Sequence, residues 1–174
     1  MRIETQRLVV RDFLPDDAEG LHAILGDAET MRNCESAYTL EQTRAFLSDF
    51  CIGRKGALAA VDKASGALIG YILFKPIQAN VYEMGWIFNR AWWRQGFAYE
   101  ACAAVVDHAF GQLGAHKIFA EAIDPVKSLG LMKKLGMRLE GVQRAQTRNC
   151  DGEWVDLYLC GMLRKDWIAA SQKT

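Results

Sequence analysis

The segment Arg94-Gln95-Gly96-Phe97-Ala98-Tyr99-Glu100 brings together residue types that can hold a phosphate. Glycine at Gly96 permits backbone angles and a close ligand approach that side chains resist. If a helix follows, its first amides point outward, unpartnered and partially positive. A pyrophosphate suits such a site, and the Arg94 guanidinium would neutralise it further. A glycine turn that starts a helix and binds nothing is the plainer reading of the same residues. Dinucleotide binding is disfavoured: no third glycine completes a G-x-G-x-x-G spacing, and the preceding strand ends a meander instead of opening a βαβ unit.

The remaining reactive residues form no readable constellation. Cys34, Cys51, Cys102, Cys150 and Cys160 are odd in number and lack C-x-x-C or C-x-x-H spacing, which argues against a disulfide framework and against a zinc site. They are expected to be reduced and structural, and no metal is expected. His22, His108 and His116 lie on unrelated segments. The aromatics Trp86, Phe88, Trp92, Trp93 and Phe97 cluster near the glycine turn, where most are expected to pack and one or two to line a pocket.

Positioning the turn requires a strand before it and a helix after it, and both are legible. Ala98 to Leu113 carries Ala98, Cys102, Val105, Ala109 and Leu113 at helical spacing, with Gly114 placed to end it. Tyr82 to Phe88 is an extended run, preceded by strands Leu58 to Val61 and Leu68 to Phe74 about a Lys63-Gly66 turn. Further upstream, Arg7 to Asp12 reads as a strand and Pro15-Asp16-Asp17 starts a helix with Ala18, Leu21, Ile24 and Leu25 on its buried face. Thr39 caps a second helix over Leu40 to Phe50, after an irregular polar loop. Downstream come a strand Lys117 to Ala122, a short helix Lys127 to Leu135 ended by Gly136, and a hairpin of Met137 to Thr147 with Glu153 to Leu163. The sum is about seven strands and about four helices in one α/β (α+β) domain over residues 1–174, with no repeat or linker to divide it.

Composition narrows the class. The chain has 174 residues, 51% of them apolar, and a formal net charge of zero. A sizeable core is possible at that length, whereas the positive field expected of a nucleic-acid-binding domain is missing. No apolar run approaches the roughly 20 residues of a membrane span, and Met1-Arg2-Ile3-Glu4-Thr5 lacks a signal-peptide core. The expectation is a cytoplasmic protein without nucleic-acid or membrane partners.

Several segments in fixed order resemble the GCN5-related N-acetyltransferase (GNAT) superfamily, in the branch typified by ribosomal-protein N-terminal acetyltransferases. They are Glu4-Thr5-Gln6-Arg7-Leu8-Val9-Val10-Arg11, similar to that branch's T-x-R-L-x-L-R opening, then Tyr82-Glu83-Met84-Gly85-Trp86-Ile87-Phe88, Trp92 to Ala101, and Lys134-Leu135-Gly136-Met137-Arg138-Leu139-Glu140-Gly141-Val142. The resemblance covers nearly the whole length. It implies the GNAT fold, with a mixed and mostly antiparallel central sheet, and an enzyme that transfers acetyl from acetyl-CoA to a primary amine by direct attack. The amine could be a protein N-terminus or belong to a small molecule such as an amino acid, polyamine or antibiotic. A catalytically silent CoA-binding module of the same fold is the alternative, and a homodimer is left open.

By the resemblance, Trp86, Ile87 and Phe88 offer main-chain groups to the pantetheine arm, as in strand addition to a free edge. Arg94, Gln95, Gly96, Phe97, Ala98 and Tyr99 hold the pyrophosphate. Two positions depart from the family pattern: Trp93 stands where a polar residue precedes the glycine by three, and Pro125-Val126-Lys127-Ser128 replaces N-x-x-S. Attack on a thioester needs an uncharged amine and a proton for the departing thiolate. Glu83 is the first candidate for the base, against the plainer role of an outward strand charge, and Asp156 and Glu153 stand in reserve. Ser128 is the candidate acid, against the plainer role of helix cap. Tyr99 is a weaker alternative acid. Cys102 is disfavoured as an acylated nucleophile because an apolar helix face supplies no base.

Overall fold

The computed structural model describes residues 1–172, and its order of elements is set by where each apolar face can be buried. Among these residues eight strands form one open sheet in the order β1-β2-β3-β4-β5-β6-β8-β7. The strands are β1 Arg2–Glu4, β2 Leu8–Asp12, β3 Ala57–Asp62, β4 Leu68–Gln78, β5 Val81–Phe88, β6 Lys117–Ala122, β7 Arg138–Arg148 and β8 Trp154–Leu163. Every neighbouring pair is antiparallel except β5 and β6. That exception follows from the connection: helix α4, Phe97–Gly111, carries the chain back across the sheet, as a parallel pair requires.

The sheet separates two cores. On one face Leu8, Val10, Ile72, Met84 and Phe88 pack with Ala101, Cys102, Val105 and Phe110 of α4. The small residues Ala101 and Ala109 are fully buried there, which lets the helix lie close to the strands. On the other face Ala59 and Tyr71 meet Leu21, Ile24 and Leu25 of α1, Ala18–Leu25, together with Met31 of α2, Ala28–Met31, and Leu47. The helix α3, Leu40–Phe46, packs on α1. The last two helices are α5, Lys127–Lys134, and α6, Arg164–Ser171.

The structure adds elements that the sequence hides. β1 is three residues of alternating charge, and what holds it is pairing with β2. α2 lies in the segment expected to be an irregular loop, with Asp27 capping its Thr30 amide at 2.8 Å. The helix expected over Leu40 to Phe50 changes at Leu47 into a π-helical turn, Leu47–Gly53, whose wider winding is a tertiary adjustment. α6 is polar and is held by two side chains: Trp167 stacks on Phe110 at 5.8 Å and donates its Nε1 to Asp107 at 2.7 Å, and Asp166 accepts from Arg138 at 2.9 Å. Eight strands and six helices therefore stand in place of about seven and about four. No helix among the described residues is long and apolar enough to cross a membrane. Of the cysteines expected to be structural, Cys51, Cys102 and Cys160 are buried, whereas Cys34 and Cys150 are exposed, because both sit on polar connections.

Candidate active site

A gap in the middle of the sheet is the first feature of the site. β5 pairs with β6 only at Val81, Tyr82 and Glu83, opposite Lys117, Ile118 and Phe119. On its other side β5 stays paired with β4 as far as Phe88, and β6 stays paired with β8 as far as Ala122. Met84 to Phe88 thus present a free edge inside the sheet. The Asn89 amide donates to Ile69 on β4 at 2.9 Å. By the alternation of an antiparallel ladder, Ile87 and Gly85 also turn their main chain to β4, while Trp86 and Phe88 turn theirs to the gap. Of the three expected strand contacts, Trp86 and Phe88 have free main-chain groups to offer and Ile87 offers its side chain.

The second feature is the turn that leads into α4. Arg94 and Gly96 both have left-handed backbones, φ +60° and +82°. The glycine tolerates this freely, whereas the arginine is held there by its surroundings. The first bond of α4 runs from the Glu100 amide to the Gly96 carbonyl at 3.0 Å, so the Phe97, Ala98 and Tyr99 amides remain orphans of the helix start. Their positive ends suit an anion. Trp93, the departure from the family pattern, covers the end of the strand: its Nε1 donates to the Phe88 carbonyl at 2.6 Å. Only the amide of Phe88 is then left for the gap.

What fixes this turn is a clamp from the far end of the chain. Glu100 Oε1 accepts from Thr5 Oγ1 at 2.6 Å and from the Arg7 amide at 2.8 Å, and Oε2 accepts from Arg7 Nε at 2.6 Å. Arg7 also donates to the Gln95 carbonyl at 2.9 Å and lies 4.0 Å over the Phe97 ring. Burial alone would push the Glu100 carboxyl up, but the bonds from Thr5 and Arg7 outweigh it and hold the carboxyl below its ordinary value. The T-x-R-L opening segment therefore has a physical task, bracing the turn, which spacing alone did not disclose.

Gap and turn open into one cleft of about 1070 Å³. β5 contributes Trp86, Ile87 and Phe88 to its lining, and the turn contributes Arg94, Gly96, Phe97, Ala98 and Tyr99. Gln95 is not among the lining residues, because its side chain folds back to donate to the Ala91 carbonyl at 3.0 Å. Ser128 of α5 does line the cleft. It is not the cap of that helix: Asp124 Oδ1 accepts the Val126 and Lys127 amides at 2.8 and 2.7 Å. Lys127 and Lys134, seven residues apart and so on one face of α5, also line the cleft, with their Nζ atoms over the Trp93 and Tyr99 rings at 5.4 and 4.2 Å. Sequence reading missed both lysines, although their spacing is the signal that would have found them.

The candidate base sits at the apex of the gap. Glu83 is the last β5 residue paired with β6, is 22% exposed and forms an ion pair with Lys75 at 2.9 Å. It does not line the cleft. Of the reserve carboxylates, Glu153 does line it and accepts from Asn149 Nδ2 at 3.0 Å, whereas Asp156 is committed to the Ala145 amide at 2.8 Å. Cys102 is wholly buried with its thiol pushed up by that burial, which removes it as a nucleophile. The opposite wall comes from the α2–α3 connection and the β7–β8 turn. Cys150 Sγ approaches the Met31 and Glu35 carbonyls at 3.8 and 3.9 Å, and Arg32 pairs with Asp151 at 3.8 Å. Glu29, Asp124, Asp151 and Glu153 give this cleft its acidic groups. Nearby, burial and then the neighbouring Glu35 push the Tyr38 hydroxyl up to about 12.

Residues 7–138 match the acetyltransferase (GNAT) domain model, and the chain belongs to that family of acetyltransferases. It is 30% identical over 170 residues to the uncharacterized N-acetyltransferase YnaD of Bacillus subtilis (strain 168), covering 96% of this chain and 99% of the relative. A crystal structure of a GNAT-family acetyltransferase from Bacillus anthracis superposes with a TM-score of 0.87 at 28% identity, over 95% of this chain and 99% of that one. The ribosomal-protein-S5-alanine acetyltransferase from Vibrio fischeri shares the fold, with a TM-score of 0.80 at 19% identity over 96% and 98% of the two chains.

Proposed function

We propose that this protein transfers the acetyl group of acetyl-CoA to a primary amine in a ternary complex, and that a protein N-terminal amine is the first acceptor class to test. One observation carries the reading: the free edge of Met84 to Phe88 opens into the same cleft as the orphan amides of Phe97 to Tyr99. An extended amide-bearing arm fits the first, and a pyrophosphate fits the second. Acetyl-CoA joins both chemistries in one molecule. Arg94, Lys127 and Lys134 supply positive charge at the phosphate side.

In this reading Glu83 takes the proton of the incoming ammonium, through water across the distance from the cleft, and Ser128 returns one to the departing thiolate. Glu83 is supported by its place where the strands part, and Ser128 by lining the cleft with capping already done by Asp124. With Asp151 paired to Arg32 and Asp124 taken up by the α5 amides, it is the cleft carboxylates Glu29 and Glu153 that favour an acceptor carrying positive charge beyond the reacting amine, such as a basic N-terminal peptide or a polyamine.

Thermal unfolding with acetyl-CoA, CoA and NAD tests the cofactor, because a ligand of the native state raises the midpoint by mass action. Acetylation of basic N-terminal peptides and of polyamines, followed by thiol release, tests the acceptor. A rise with the two CoA species and turnover of one acceptor class supports the reading. A rise without turnover of any amine would make the chain a CoA-binding module, and a rise with NAD alone would overturn the reading.

A further inference from the structure

Two thiols from distant parts of the chain meet where the α2–α3 connection and the β7–β8 turn close the far wall of the cleft. Cys34 belongs to the first segment and Cys150 to the second, and both are free and exposed. Cys150 Sγ lies 3.8 Å from the Met31 carbonyl oxygen and 3.9 Å from that of Glu35, carbonyls on either side of Cys34 in the chain. The same Met31 carbonyl accepts the Cys34 amide at 2.8 Å, so the Cys34 nitrogen and the Cys150 sulfur are no farther apart than those two distances laid end to end. Disulfides join residues whose α-carbons are roughly 4.4–6.8 Å apart, and the seating of Cys150 in the Cys34 turn is on that scale. The thiols also feel each other: desolvation at the Cys34 sulfur, and after it Glu35 and Cys150, push the Cys34 thiol up to about 11. A second contact holds the same segments side by side, Arg32 pairing with Asp151 at 3.8 Å.

The seam between the two segments separates two of the cleft's carboxylates, Glu29 on the α2 side and Glu153 on the β7–β8 side. An exposed ion pair and long sulfur contacts hold a seam weakly. We propose that Cys34 and Cys150 form a reversible disulfide that straps the α2–α3 connection to the β7–β8 turn and fixes how far apart Glu29 and Glu153 stand. The oxidant is a low-molecular-weight disulfide such as oxidised glutathione. Cys34, with its raised thiol, is a poor first attacker, so the first exchange falls to Cys150. The Cys150 thiolate attacks one sulfur of the oxidant, forming a mixed disulfide and releasing one glutathione thiolate. The Cys34 thiolate then attacks the Cys150 sulfur and releases the second, its small thiolate fraction offset by proximity within one molecule. Two protein thiols thereby lose two hydrogens, and one glutathione disulfide becomes two glutathione thiols. A thiolate as basic as that of Cys34 is also a poor leaving group, so the finished bond yields slowly to attack at the Cys150 sulfur. Cys51, Cys102 and Cys160 are buried and stay out of the exchange. The strap does not depend on which ligand the cleft takes.

The test incubates the full chain with oxidised glutathione at mildly alkaline pH and follows intact mass, a peptide map without reductant, the melting midpoint and backbone amide exchange. The oxidised protein is expected to weigh two hydrogens less, with the Cys34 peptide joined to the Cys150 peptide. Its midpoint should rise by about 5–15 °C, because a bond that closes so long a loop restricts the unfolded chain. Amide exchange should slow in the α2–α3 connection and the β7–β8 turn, and dithiothreitol should reverse all of these changes. Reduced and oxidised protein are one polypeptide, so no variant has to fold for this comparison. Cys34→Ser and Cys150→Ser should each end as a glutathione adduct or unmodified, with the midpoint unchanged. A wild type that carries glutathione without the Cys34–Cys150 link, links only between molecules, or does not react overturns the proposal. So does a link that forms and leaves both midpoint and exchange where they were. A wild type that forms the link and binds no CoA leaves the strap standing and removes only the acetyl-CoA reading.

Discussion

Replacing Glu100 with glutamine keeps the side chain's shape and removes the charge on which the clamp over the turn into α4 depends. The carboxylate accepts three short bonds, two on Oε1 from Thr5 and the Arg7 amide and one on Oε2 from Arg7 Nε. Glutamine can keep the first two on its carbonyl oxygen. Its amide nitrogen then faces Arg7 Nε, donor against donor, so one charge-assisted bond and its ion pair are lost. Glu100 is 18% exposed and Arg7 39%, which places the loss at about 2 kcal/mol and not at the larger figures of fully buried pairs. For a chain of this size that corresponds to a fall of about 4–8 °C in the melting midpoint at neutral pH. The pH dependence has a definite sign. The Glu100 carboxyl is held below its ordinary value of 4.5, so its stabilisation is complete above that value and fades as the pH falls through the lower folded one. Melting curves of wild type and Glu100→Gln should therefore converge in acid and separate toward neutrality. Acetyl-CoA should also bind the variant more weakly, because Arg7 anchors the Gln95 carbonyl within the turn. Midpoints within about 1 °C of each other at neutral pH, with a difference independent of pH, would refute the clamp.

Gly96→Ala has room for its Cβ, which would lie 3.5 Å from Arg7, so its cost is the left-handed backbone at φ +82°. The expected loss is about 1–2 kcal/mol of stability together with weaker acetyl-CoA binding, and a wild-type melting curve would contradict it. Ser128→Ala should melt like the wild type and turn over more slowly, whereas Asp124→Ala should lose about 0.5–2 kcal/mol of stability with its cap. The opposite pattern would return Ser128 to the role of cap. Glu83→Gln should lower kcat near neutral pH by about a hundredfold or more and spare acetyl-CoA affinity, with little change in stability because Lys75 is partly exposed. Identical pH–rate profiles for variant and wild type would remove Glu83 as the base.

Much of the turn into α4 was legible because its signals are local. A glycine before a strongly periodic helix declares left-handed backbone and free amides, and the structure has both at Gly96 and Phe97 to Tyr99. The long apolar helix, the β3–β4–β5 meander and the last hairpin were legible for the same reason, each being written in its own periodicity. Elements that depend on a distant partner were not. β1 exists through β2, α6 through Trp167 on Phe110, and the π-helical turn through its packing under the sheet. Ser128 had two readings in sequence, and the Asp124 bonds to two amides removed one of them.

The sequence by itself determined the order of the main elements, through hydrophobic period and turn chemistry, and its segments from Glu4 to Val142 carried the resemblance to the family, all of them properties of neighbouring residues. Only the tertiary structure decided where the sheet parts, that Arg7 and Glu100 brace the turn, and that Gln95 turns away while Lys127 and Lys134 line the cleft. Those facts depend on register between strands and on contacts between residues about ninety positions apart, and a hydrogen bond across such a separation leaves no periodic trace in the chain.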